Sequence, residues 1–356
     1  MVRRLKPLPM ATTRFSLNDP EWLAHRFVES DDAFRFMRVP RADHAAVPFL
    51  TDDYLGQRDS APDVPAAQCL GLPGDAPLHF VFHSAFCSST MFVRAFDKPG
   101  LAMGLSEPLV LNDLVGFRRR GAEPRAVARA ADAATRLLGR PFDAGEAVIV
   151  KPSNLVNPLA LLLMMLRPQA RALFLYAPLE TFLISVANKG MHCRLWVREL
   201  LGAFMRDGAL DLNFTPEDYF RQTDLQVAAM GWLAQHKLFV QLAARLGQDR
   251  LRFLDSTSIH ADPITTLCAA AAHYGLAMSA EDAREIAAGP VFARHSKSLA
   301  PYTAEDRAND YAKVRAAHDD EIGKVVIWAS AVADSFGISL EPAFPLVPCG
   351  PVIGPV

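Results

Sequence analysis

Four short apolar runs, each separated from the next by amphipathic sequence, constrain this chain more than any other feature. They are Leu78–His83, Ala147–Val150, Ala170–Tyr176 and Leu251–Leu254. Runs of this length, flanked by Gly, Pro and polar residues, read as strands buried on both faces. Alternation of such strands with helical segments predicts an α/β domain built on a parallel sheet with crossover helices.

The intervening segments carry helix punctuation. Arg125–Leu138 is an Ala/Arg helix stopped at Gly139, with Pro141 beyond. Met91–Asp97 and the apolar Pro158–Leu166 are shorter helices. Thr215-Pro216-Glu217-Asp218 combines an N-cap, a proline at the first position and two early carboxylates. It opens a helix expected to reach Leu246 and stop at Gly247. Pro263–Tyr274 ends at Gly275, and Thr303-Ala304-Glu305-Asp306 opens the last long helix, which carries Trp328. Residues 1–75 read as an irregular arm with one helix starting at Asp19-Pro20 and ending near Asp31. The main domain then spans 76–340, and 341–356, with five prolines, reads as an extended tail.

Composition removes several classes of function. A formal net charge of -2 leaves no electrostatic footprint for duplex DNA or RNA. The five cysteines are scattered without a CxxC pair, so neither a disulfide framework nor a zinc site is indicated, and no HExxH occurs. The basic N-terminus lacks the apolar stretch of a secretory signal. Pro158–Leu166 falls far short of the ~20 apolar residues of a membrane span. A reduced, cytoplasmic protein with no metal, nucleic-acid or membrane partner is the expectation.

The candidate chemistry lies where strands end, since ligands of open α/β sheets bind there. After Leu78–His83 comes Ser84-Ala85-Phe86-Cys87-Ser88-Ser89-Thr90 and then a helix. Backbone amides at such a helix start, joined by three hydroxyls, suit a phosphate group. A βα turn capped by serines accounts for the same residues. Lys151 ends the Val-Ile-Val strand, followed by Ser153 and Asn154 at a turn. His83 sits at its own strand end, either as a base or as a hydrogen-bonded core histidine. Cys87 is either a thiol activated by the helix start or a small buried filler. Arg294, His295 and Lys297 concentrate positive charge in one loop, whereas Arg118-Arg119-Arg120 reads as a solvated turn.

These segments together resemble the sulfotransferase family. The 78–96 stretch is similar to its phosphosulfate-binding loop, with Ser88-Ser89-Thr90 where Ser-Gly-Thr is expected. Arg94-Ala95, the Pro99-Gly100 turn and Glu107 are similar to the stretch that leads to a catalytic glutamate in tyrosylprotein sulfotransferases. Val148–Pro152 resembles the strand ending in Lys-x-Pro. Pro168–Pro178 with Ser185, Leu251–Leu254 with Asp262-Pro263 and Tyr274-Gly275-Leu276, and Phe292–Lys297 resemble three further family segments. The resemblance covers most of 76–300. It implies a three-layer α/β/α parallel sheet of the P-loop/sulfotransferase type with long C-terminal helices.

The resemblance also implies transfer of a sulfuryl group from 3′-phosphoadenosine-5′-phosphosulfate to a hydroxyl acceptor, a small molecule or a peptide. Glu107 would be the base, with His83 as its substitute, and Lys151 would meet the sulfuryl oxygens. Phe86, Cys87, Ser88, Ser89 and Thr90 would hold the 5′-phosphate, and Ser185, Arg294, His295 and Lys297 the 3′-phosphate. The departures are specific. Cys87 replaces the loop cation, Ser89 the loop glycine at a cost of about 1 kcal/mol if that position is left-handed. Tyr176 replaces the arginine before Pro178, and Ile184 stands where the serine belongs, one residue before Ser185. A sulfotransferase fold that has lost its activity and serves as a binding module is therefore the second reading.

Overall fold

The computed structural model describes residues 14–209, 212 and 214–348. All four apolar runs are strands, and they lie in one sheet. The sheet holds β4 (Leu78–His83), β5 (Ala102–Ser106), β6 (Ala147–Lys151), β7 (Ala172–Tyr176) and β8 (Leu251–Asp255), in the order β5-β6-β4-β7-β8. Every neighbouring pair is parallel. All six residues of the central strand β4 are buried, as a strand with helices on both sides requires. The result is a mixed α/β fold in which helices flank a five-stranded parallel sheet.

β5 was not legible as a strand. It has five residues and an interior glycine, which weakens any strand signal. Gly104 is there because the helix Ser89–Ala95 lies directly on it: a Cβ would stand 2.7 Å from Val93 Cγ1. The register pairs Ser106 with Lys151, so Glu107 leaves the sheet beside the end of β6.

Residues 14–75 are not an irregular arm. β1 (Trp22–Val28), β2 (Ala33–Arg38) and β3 (Ser60–Pro65) form an antiparallel sheet in that order. The helix expected from Asp19 is β1. Its start signal is instead an Asx turn, with Glu21 N–H donating to Asp19 Oδ1 at 2.9 Å. Burial overrides the local cap: Phe27 meets Phe117 at 5.3 Å, and its N–H donates to Asp113 Oδ2 on the helix Leu109–Arg119. The enclosed Arg140 guanidinium ties the strand down by donating to the carbonyls of Leu17, Asp19 and Trp22.

The helix expected from Thr215 to Leu246 is two helices, Pro216–Arg221 and Asp224–Leu246. A second capping box, Thr223 with Gln226, restarts the chain where Gln222 turns extended. Helices run as read over Pro124–Leu138, Pro263–Tyr274 and Ala304–Ser335. In the tail, Phe344 to Leu346 pair with Phe253 along the outer side of β8. Residues 349–356 of that tail lie outside the described residues.

Several histidines are enclosed. Burial lowers His44, His79, His236 and His273 from 6.5 to about 4. His236 stacks on Trp232 at 4.4 Å, with Phe253 and Tyr176 against its edges. A lowered histidine pKa means the unfolded chain binds the extra proton first. Stability from these groups is complete above pH 6.5 and drains as pH falls toward 4. Urea midpoints measured from pH 7.5 to 4.5 should therefore fall with acid, and the fall should be shallower in His236→Phe, whose ring keeps the stack without the titrating nitrogens.

Candidate functional site

The loop between β4 and the helix Ser89–Ala95 is strained. Ala85, Phe86 and Ser88 have φ of 74°, 51° and 60°. Each left-handed L-residue costs about 1–2 kcal/mol. The strain expected at Ser89 falls on these three instead, and Ser89 is the first helical residue. His83 holds the loop in this shape. Its Nδ1 accepts the Ala85 N–H at 3.1 Å, so its proton sits on Nε2 and is donated to the Pro152 carbonyl at 3.1 Å. Asn157 Nδ2 donates to the His83 carbonyl at 3.0 Å and to Gln235 Oε1 at 2.9 Å.

Two readings of this loop need correction. His83 is no substitute base: both ring nitrogens are engaged, and burial with Lys151 nearby keeps the ring neutral, its pKa well below 6.5. Cys87 is not an activated thiol. It is buried, and desolvation raises it to about 11.

Lys151 and Glu107 form one unit. Lys151 Nζ donates to Glu107 Oε1 at 2.6 Å, with 0% of the lysine side chain and 21% of the glutamate exposed. Desolvation lowers the ammonium's pKa, and Glu107 opposes that. Glu107 also takes a left-handed φ of 54°, and its N–H donates to the Lys151 carbonyl at 2.6 Å. Lys151 therefore lies behind the carboxylate and does not itself line the cleft; Glu107 is the group presented. Ser153 Oγ is used up on Asn112 Oδ1 at 3.0 Å. Asn154 lines the same cleft, but its Nδ2 is enclosed and has no partner among the described residues.

A cleft of about 430 Å³ opens at these strand ends. Glu107, His83, the run from Phe86 to Thr90, Ser185, Arg294, His295 and Lys297 all line it. Segments as far apart as β4 and residue 297 therefore meet at one place. Ser185 reaches the cleft and lies 3.4 Å from Tyr311 Oη, while Ile184 is buried in the core. Tyr176 is buried as well, stacked on Phe174. The Arg118–Arg120 run is spent on structure: Arg118 and Arg119 both pair with the enclosed Asp207, and Arg120 with Glu29.

The sequence reading missed Lys189, His192, Trp196 and Arg307, which also line the cleft. Lys189 precedes, and His192 and Trp196 lie one turn apart on, the helix Gly190–Arg206, which the sequence reading did not identify. Lys189 Nζ lies 5.3 Å from the Phe86 ring centre, and Lys297 Nζ 5.3 Å from that of Phe49. Burial lowers the Lys189 pKa, and Lys297 adds to the effect. Arg307 Nη1 sits 2.6 Å from His260 Nε2, which is 2.9 Å from Ser88 Oγ. Desolvation and Arg307 hold that imidazole down at about 3. Among the described residues, none of Lys189, Arg294, Lys297 and Arg307 has a carboxylate within 4.0 Å. Among the described residues Glu107 is the one carboxylate lining the cleft, and it is already paired with Lys151. The cleft thus carries an uncompensated positive charge of several units.

No family model matches the chain, and no curated protein matches it. Among solved structures, the sulfotransferase domain from the curacin biosynthetic pathway is similar over 76% of this chain and 99% of that one. Its identity is 13% and its TM-score 0.41. The sulfotransferase STF1 from Mycobacterium tuberculosis H37Rv is similar over 70% of this chain and 78% of that one, at 16% identity and a TM-score of 0.38. Among the described residues no group of His, Cys, Asp and Glu could hold a metal ion, and no helix is long and apolar enough to cross a membrane.

Removing one partner of an enclosed ion pair strands the other, at a cost of about 3 kcal/mol, whereas replacing both by neutral groups costs far less. Glu107→Gln should lower the unfolding free energy in urea by about 3 kcal/mol. Glu107→Gln with Lys151→Met should recover most of it; a double variant no more stable than the single one contradicts the pairing.

Proposed function

We propose that the cleft binds 3′-phosphoadenosine-5′-phosphosulfate and a hydroxyl acceptor, and that the protein is a sulfotransferase. The observation that carries this reading is the convergence of four cations without carboxylate partners on the cleft that presents Glu107. A ligand with several negative charges fits that excess. When bound, the nucleotide supplies an activated sulfuryl group.

The chain's own residues divide the work. Glu107 takes the proton of the acceptor hydroxyl on its partly exposed carboxylate, and Lys151 behind it balances the carboxylate's charge. Lys189 and Lys297 neutralise the transferring group and make good the charge missing at Cys87. The Ser88 and Thr90 hydroxyls and the strained loop orient the 5′-phosphate. Arg294, Arg307, Ser185 and Tyr311 hold the 3′-phosphate. Substitution at Cys87 and Tyr176 supports the other reading, a cleft that binds the nucleotide without turnover, and the same experiment separates the two.

Calorimetric titration with adenosine 3′,5′-bisphosphate should give saturable binding that weakens with salt, because it replaces counterions on the four cations. Lys189→Ala and Arg294→Ala should each weaken it by about tenfold, the loss of one charge-assisted contact. With labelled phosphosulfate and an acceptor panel, Glu107→Gln should lose about 10²-fold or more in transfer while keeping its affinity for the bisphosphate. Binding without transfer to any acceptor selects the inactive module. Absence of binding at millimolar bisphosphate overturns both.

A further inference from the structure

Among the described residues, Phe49 is the one residue of 14–75 that lines the cleft. It lies in the link between the helices Arg41–Ala46 and Asp52–Leu55. Leu50 beside it is buried, and its N–H donates to the Ser106 carbonyl at 2.8 Å. Ser106 immediately precedes Glu107, so the N-terminal segment delivers an aromatic ring to the edge that carries the base. Phe49 itself stays half-buried at the cleft wall. Two ammonium groups meet its ring, Lys151 Nζ at 5.0 Å from the centre and Lys297 Nζ at 5.3 Å.

The place of Lys297 needs a cause. Its cationic neighbours repel it: burial lowers the pKa of Lys151 and of Lys189, and Lys297 adds to the lowering in both. Among the described residues no carboxylate stands within 4.0 Å of its ammonium. The backbone beneath it is fixed, since the His295 N–H donates to the Ala300 carbonyl at 2.8 Å and Arg94 Nη1 to the Ser296 carbonyl at 2.9 Å. The exposed side chain is not fixed by that backbone, because a flexible lysine stem lets the ammonium swing toward solvent. The face of an aromatic ring attracts a cation, and at an exposed site it favours the seated arrangement by about two- to fivefold. We propose that Phe49 is a positioning residue for sulfuryl transfer, its ring seating the Lys297 ammonium beside the Glu107–Lys151 pair before charge develops on the transferring group. A cation held there beforehand stabilises that charge without reorganising. The proposal rests on the sulfotransferase reading and gives the N-terminal segment a part in it.

Steady-state transfer from labelled phosphosulfate tests this, together with calorimetry against adenosine 3′,5′-bisphosphate, which lacks the transferring group. Phe49→Leu keeps an apolar side chain without the π face. It should lower kcat about fivefold and leave the bisphosphate affinity within about twofold of wild type. Phe49→Tyr, which keeps the π face, should stay within about twofold of the wild-type kcat. In the Lys297→Met background, Phe49→Leu should have no further effect on kcat, because the ring acts through that ammonium. In the NMR spectrum of the protein with isotope-labelled lysine, the Lys297 ε-methylene signal is assigned by its loss in Lys297→Met. The ring current should hold that signal upfield in the wild type, and Phe49→Leu should return it to the position of a free lysine. If Phe49→Leu does not fold, Phe49→Met takes its place. Wild-type kcat in Phe49→Leu, an equal loss in the Lys297→Met background, or an unshifted lysine signal overturns the role of Phe49 and leaves the sulfotransferase reading standing. Absence of transfer by the wild type to every acceptor overturns that reading, and this role with it.

Discussion

The contact on which the site depends is the pair made by Lys151 and Glu107. An ammonium with no exposed surface is tolerable only if an opposite charge meets it, and a carboxylate 2.6 Å away does so. The pair is placed by the sheet. Ser106 and Lys151 are registered neighbours on β5 and β6, so the two chains leave the sheet side by side. Gly104, which lets the helix Ser89–Ala95 lie against β5, brings the strained loop to the same edge. Charge, register and packing thus converge on one strand end.

A second constraint is conformational. Ala85, Phe86 and Ser88 are all held left-handed without glycine, which stores a few kcal/mol in one loop at about 1–2 kcal/mol each. Such strain persists where the surroundings over-determine the backbone. Here the clamp is His83 between Ala85 and Pro152, backed by Asn157 and Gln235. The histidine thus acts through position rather than through proton transfer. The loop itself carries no charge, and the cations come from elsewhere: Lys189 beside the helix Gly190–Arg206, Lys297 and Arg294 from the loop before the last helix, and Arg307 from within that helix.

Much of this was legible from residues alone, for reasons that differ by element. β4, β6, β7 and β8 are apolar on both faces, so their signal needs no knowledge of neighbours. Caps announced the helices from Pro263 and Ala304, because a Thr or Asp side chain satisfies an amide only three residues away. The same local reasoning failed at Asp19-Pro20. There the burial of Phe27 against Phe117 outweighed a start signal worth about 1 kcal/mol. It failed again at Thr215, where a second capping box inside the expected helix was overlooked.

The sequence by itself determined the parallel α/β architecture and which residues end its strands, since both follow from apolar periodicity and local punctuation. Glu107, Ser88 and Lys297 could be named from residue type and resemblance. Only the tertiary structure decided what those residues do. It turned Lys151 away from the cleft and beneath Glu107, occupied both nitrogens of His83, and buried Cys87 as a neutral thiol. It also brought Lys189 and Arg307 into a site to which neither belongs by motif. The reason is physical: an ionisable group's role depends on desolvation and on charges within a few ångströms, and chain folding sets those distances across more than a hundred residues of separation.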